Sequence, residues 1–199
     1  MGCLLFKPKK LQQLENSTVK RKILLVGLDG VGKTSILYRL KLSDFIQTVS
    51  TVGLNVETIV HKNLELLVFD VGGQARTLWS YYFDNLDALI FVIDSTDKAR
   101  LKIVREEILR ISEGLKDNKY VMLLYFNKQD RDDKMDFGEM VENCGVNELK
   151  YPVDVIVQKC SALKGDGLVD GLNKLGDYLL QDEKPDEKGK TAGKTSKTS

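Results

Sequence analysis

Little in this 199-residue sequence supports a covalently stapled or metal-built scaffold. Its three cysteines, Cys3, Cys144 and Cys160, are odd in number and lack metal-ligand spacing. That argues against a disulfide framework and a zinc site and suits a reducing cytosol. The single histidine, His61, falls in a predicted turn and reads as a surface residue with no role. Long apolar runs are missing: the longest, YVMLLYF from Tyr120 to Phe126, is far short of the roughly 20 residues that span a bilayer. The N-terminus lacks the hydrophobic region of a secretory signal, and no internal repeat is evident. An excess of charge is also absent, since the chain sums to +1. Residues 1 to 22 carry six basic side chains against Glu15, a net of +5, leaving −4 for the rest. The body therefore offers no electrostatic case for nucleic acid. The leading segment is either a solvated basic tail or a surface that meets anionic lipid.

What is present is ordinary globular material, 42% hydrophobic and 30% charged. The length fits one domain that buries about two-thirds of its unfolded surface. Six short runs rich in branched and aromatic residues read as strands: KILLVG (Lys22 to Gly27), LNVETIV (Leu54 to Val60), LELLVF (Leu64 to Phe69), ALIFVI (Ala88 to Ile93), VMLLYF (Val121 to Phe126) and VDVIVQ (Val153 to Gln158). Four are nearly continuous apolar, as parallel strands covered on both faces should be. Helices are predicted over Lys33 to Leu42, Lys98 to Gly114, Asp136 to Asn143 and Gly167 to Leu180. The alternation predicts an α/β fold around a mainly parallel sheet. Only His61, Lys62 and Asn63 separate the second and third runs. That gap is too short for a crossover, so these two strands should form an antiparallel hairpin. After Leu180 the composition becomes polar and lacks any aromatic or branched aliphatic residue, so it reads as a disordered tail.

The first strand runs into GLDGVGKT, Gly27 to Thr34, a full match to G-x-x-x-x-G-K-[ST]. Backbone amides of a glycine-rich turn and a helix N-terminus offer aligned donors to a phosphate chain. Here Leu28, Asp29, Gly30, Val31 and Gly32 form the cradle, while Lys33, Thr34 and Ser35 open the helix. Lys33 and a Thr34-bound Mg²⁺ supply the full charges. The base is named by NKQD, with Asn127, Lys128 and Asp130 at the carboxyl end of the fifth strand. A carboxylate at Asp130 accepts from the N1–H and exocyclic amine of guanine, whereas adenine leaves it unpaired. In CSAL, Ser161 and Ala162 follow the last strand, and the Ala162 N–H either faces the guanine O6 or simply packs inside. DVGGQ, Asp70 to Gln74, follows the third strand, and its paired glycines read alone as a turn.

Taken together, GLDGVGKTSILYRL, TVGLNVETI, DVGGQ, NKQD and CSALKGDGL resemble, in order and spacing, the Arf and Arf-like small GTPases over roughly residues 20 to 180. The resemblance implies a P-loop NTPase fold with a six-stranded, mainly parallel sheet, one antiparallel interswitch hairpin and helices on both faces. It implies GTP and GDP as ligands, Mg²⁺ on Thr34 and, in the GTP state, on Thr51. Asp70 would support the metal through water, the Gly73 N–H would touch the γ-phosphate and Gln74 would orient the attacking water. Arg76 is not assigned a catalytic role, because this family receives its arginine in trans, and it reads as a solvent-exposed switch residue. The implied protein is a monomeric switch, cytoplasmic and reversibly bound to a Golgi or other endomembrane as a peripheral protein. It works with an exchange factor, a GAP and effectors, with a role in vesicle trafficking.

Three segments are expected: a basic, membrane-contacting stretch over 1–19 that is a candidate for acylation, the GTPase domain over 20–180 and the tail over 181–199. Gly2 is the expected myristoyl acceptor and Cys3 a palmitoylation site, since one chain anchors only marginally. Phe6 stands where that acylation pattern prefers Ser or Thr, and Pro8 would break a helix begun at Gly2. Ser50 replaces the family's usual proline, Leu54 replaces a phenylalanine used in partner recognition, and only four residues separate Gln74 from Trp79, two fewer than the family pattern. The shortening falls in the second switch. It leaves two functions open: a slow GTP hydrolase that recruits effectors, or a GTP-locked adaptor that hardly hydrolyses. An ATP-dependent small-molecule kinase fits worst, because NKQD favours guanine.

Overall fold

The computed structural model describes residues 18–42, 48, 53–74 and 76–181. Gly2, Cys3, Ser50, Thr51 and the C-terminal tail lie outside the described residues. Among the described residues, six strands form one sheet: β1 (Val19–Val26), β2 (Leu54–His61), β3 (Leu64–Val71), β4 (Ala88–Asp94), β5 (Val121–Asn127) and β6 (Asp154–Lys159). Their spatial order is β2-β3-β1-β4-β5-β6. Only the β2–β3 pair is antiparallel, with Leu54 opposite Val71 and His61 opposite Leu64. Both seven-residue central strands, β4 and β5, are buried along their whole length, which explains their unbroken apolar sequence.

Helices α1 (Lys33–Leu42), α2 (Leu101–Gly114) and α3 (Phe137–Asn143) lie between strands, and α4 (Leu168–Gln181) follows β6. In α2, Val104, Ile108 and Ile111 are buried, and in α4 Leu168, Leu172, Leu175 and Leu179 are; this is the spacing of one helical face against a sheet. The predicted start of the second helix is refined. Lys98–Arg100 is a 3-10 turn capped by Asp97, whose carboxylate accepts from the Arg100 N–H, and the α-helix begins at Leu101. Asp136 caps α3 in the same manner, accepting from Glu139 N–H at 3.0 Å.

β1 lies centrally because the chain moves from it to β2 and β3 on one side and then to β4 on the other. Its carboxyl end is thus the crevice where the strand order reverses, the place where open α/β sheets bind ligands. One expectation is corrected here. His61 is not a bare surface residue: it ends β2, half-buried, and its Nε2 lies 3.0 Å from Asn173 Oδ1 of α4. The turn itself is Lys62 and Asn63, with Lys62 left-handed at φ 54°.

Candidate functional site

The loop between β1 and α1 wraps back on itself. Its Lys33 side chain is only 6% exposed in spite of its charge, and Nζ donates to the carbonyls of Gly27 at 2.9 Å and Leu28 at 2.8 Å. Burial pushes the ammonium down to about 8, while the carboxylates of Asp70 and Asp29 act to raise it and Arg100 to lower it. A buried cation held on two carbonyls, in a loop of amides, is arranged for an anionic ligand. Gly32, at φ 95°, permits a turn that a Cβ would block, since that atom would come 2.5 Å from Asn127 Nδ2.

Thr34, one residue into α1, donates its hydroxyl to Asp70 Oδ2 at 2.7 Å, and Asp70 is fully buried at the end of β3. A hydroxyl and a carboxylate together are hard oxygen donors, the chemistry that Mg²⁺ takes. Among the described residues, no group of three or more His, Cys, Asp or Glu side chains is placed to hold a metal. A hard cation at Thr34 and Asp70 therefore needs ligand phosphate oxygens and water to complete its shell. Ser35 is buried beside Thr34 and its Oγ lies 3.1 Å from Thr48 Oγ1.

Gly73 of the DVGGQ stretch packs directly on this loop. A Cβ there would stand 2.3 Å from Asp29 N and 2.4 Å from Leu28 C, so only glycine allows the approach. The Gly72 N–H donates to Gly53 O at 2.9 Å. Gln74 is exposed, and Arg76–Tyr82 then forms a 3-10 helix.

The NKQD stretch lies across the same crevice. Asn127 is buried and joins three segments: Nδ2 donates to Val31 O at 2.8 Å, Oδ1 accepts from the Ala162 N–H at 2.9 Å, and its backbone O accepts from Ser95 N–H at 3.0 Å. The Ala162 N–H, expected either to face the guanine O6 or to pack inside, is thus engaged by Asn127. Asp130 accepts from Ser161 Oγ at 2.5 Å, which fixes its carboxylate at the rim. Lys128, left-handed at φ 67°, pairs with Asp94 Oδ2 at 2.5 Å, and Gln129 Nε2 donates to Ser95 Oγ at 2.7 Å.

Sequence reading missed Asp94, Ser95 and Arg100. Arg100 donates to Asp29 Oδ1 at 3.0 Å and to Asp29 O at 3.2 Å, and so ties the phosphate loop to the start of α2. All three lie in DSTDKAR, which begins at Asp94, the last residue of β4; that position at a strand's carboxyl end was the available signal. Arg76, expected to stand in solvent, instead pairs with Glu107 at 3.0 Å.

The model of the ADP-ribosylation factor family matches residues 8–179. ADP-ribosylation factors J and K of Dictyostelium discoideum are each 44% identical over 162 residues, covering 79% of this chain and 85% of theirs. Among solved structures, the Arl6 BBS3 small GTPase from Trypanosoma brucei with bound nucleotide analogue GppNp aligns with a TM-score of 0.74 at 32% identity. That match covers 82% of this chain and 99% of the other. Arf and Arf-like proteins bind GTP and GDP with Mg²⁺ and work with regulators and effectors. A strand-loop-helix built for phosphate, a carboxylate set at the base motif and this concordance lead to one conclusion: the chain belongs to the ADP-ribosylation factor family of small GTPases, and it hydrolyses GTP.

Proposed function

We propose that this protein is a nucleotide-controlled switch whose GTP form recruits effectors to a membrane, in vesicle trafficking. The observation that carries the reading is Gly73 packed on the backbone of Leu28 and Asp29, beside the Thr34–Asp70 hydrogen bond. A segment held there senses whether a third phosphate is present. Leu28 to Gly32 offer amides to the phosphates, and Lys33 places its charge among them. Thr34 and Thr51 would hold Mg²⁺, with Asp70 behind them through water. When bound, Mg²⁺ neutralises charge that builds on the phosphate oxygens. The Gly73 N–H binds the γ-phosphate and Gln74 orients the attacking water. Asp130 selects guanine, with Asn127, Lys128, Ser161 and Ala162 framing the base.

With no arginine assigned to the chemistry in cis, the intrinsic rate is slow and a GAP accelerates it. Acyl chains on Gly2 and Cys3, with the adjoining lysines, supply the membrane hold at an endomembrane such as the Golgi. Single-turnover hydrolysis tests the reading. Gln74→Leu should lower a slow but measurable wild-type rate sharply, to a residual rate that long single-turnover time courses still resolve. An equally negligible rate in both proteins would instead support the GTP-locked adaptor.

A further inference from the structure

Two residues fewer than the family pattern lie between Gln74 and Trp79, and the structure holds what remains at both ends. On one side Gly73 rests on the phosphate loop. On the other, Arg76 is fastened to α2 twice. Its guanidinium donates to Glu107 Oε1 at 3.0 Å, and its backbone carbonyl accepts from Arg110 Nη2 at 3.1 Å. Arg110 also donates from Nε and Nη2 to Glu107 Oε2 at 2.8 and 2.6 Å, and its guanidinium lies 5.8 Å from the ring centre of Trp79. Trp79 is fully buried and meets Phe91 of β4 edge-on at 6.1 Å.

An exposed ion pair contributes little, but Glu107 is not exposed. Its side chain is 12% accessible and lies between two arginines that are 39% and 42% accessible. Both carboxylate oxygens are engaged, and one arginine also holds the main chain of the segment it steadies. Only Ala75 separates Gln74 from Arg76. Two residues span at most about 7 Å, so the fastening on α2 sets how far the Gln74 side chain can reach across the phosphate loop.

We infer that Glu107 is a positioning residue for GTP hydrolysis: it fixes Arg76 on α2 and thereby sets the placement of Gln74. The inference rests on the reading of Gln74 as the water-orienting residue. It gives the shortened switch a defined anchor on α2.

A mutant cycle in the full-length protein tests it, with GTP hydrolysis followed in a single turnover and affinity measured with a fluorescent GDP analogue. Glu107→Ala should slow hydrolysis about tenfold with GDP affinity within about twofold of wild type, and in a Gln74→Leu background it should cost nothing further, because the two residues act as one unit. Arg76→Ala, which removes the more exposed partner, should give the same result and decides the matter if Glu107→Ala does not fold. An unchanged or faster rate overturns the inference. So does an equal loss in both backgrounds, or a parallel loss of GDP affinity. If Gln74→Leu alone leaves the rate intact, the reading of Gln74 fails and the inference falls with it. If Gln74→Leu is slow and Glu107→Ala is not, only the inference fails.

Discussion

Replacing Gly73 by alanine puts one methyl group where the second switch packs on the backbone of the phosphate loop. The added carbon would stand 2.3 Å from Asp29 N, 2.4 Å from Leu28 C and 2.7 Å from Gly27 O, where ordinary contact begins at 3.4 Å. All three are main-chain atoms of a loop that Lys33 and Asn127 already hold, at Gly27 O, Leu28 O and Val31 O. The switch therefore has to withdraw, by about 1 Å on those distances. A misplacement of about 1 Å costs on the order of 100-fold in rate, or about 2.7 kcal/mol of barrier. Gly73→Ala should thus slow single-turnover GTP hydrolysis about 100-fold. GDP has no γ-phosphate for the switch to meet, so its affinity, measured by fluorescence titration, should stay within about twofold. Hydrolysis at the wild-type rate, or equal losses of GDP and GTP affinity, would show that Gly73 does not hold the switch against the phosphates.

Two further outcomes concern Asn127 and the two buried cysteines. Asn127→Ala leaves the Val31 carbonyl and the Ala162 amide without their buried partner, at about 1–3 kcal/mol each. Thermal unfolding should show a Tm lowered by about 10 °C, and a change below about 2 °C would mean that the loops hold together without it. Cys144 and Cys160 are both buried, and burial pushes both thiols above their ordinary range, Cys160 far above it with a further contribution from Asp130. Less thiolate is therefore present at pH 8 than in a free cysteine. Peptide mapping after alkylation at that pH should find neither residue modified in the native protein and both modified in guanidinium. Rapid native labelling of Cys160 would contradict the packing at the base motif.

The sheet was legible because its strands are so uniformly apolar. The runs from Ala88 and Val121 can lie only where both faces are covered, and β4 and β5 are buried throughout. α1 occupies the span read from the sequence, Lys33 to Leu42, because the phosphate motif dictates where a helix must start. Contacts between distant segments were not legible. Asn173 holds His61 from 112 residues away, Asp29 holds Arg100 across 71, and Glu107 holds Arg76 across 31. Each depends on helix rotation and strand register, which hydrophobic period alone does not specify. Ala162 shows a different limit. Its place beside the base motif was readable, but the partner of its N–H was decided by the rotamer of Asn127.

Trp79 makes the switch itself directly observable. It is the only tryptophan in the chain, it is fully buried in the second switch, and Arg110 and Phe91 pack against it. If the nucleotide controls this segment, exchanging GDP for a non-hydrolysable GTP analogue will change the Trp79 emission. With GTP itself the change will revert at the rate of phosphate release, and adenine nucleotides will produce none. Identical emission spectra in the GDP and GTP-analogue forms, at confirmed full occupancy, would contradict a nucleotide-controlled switch.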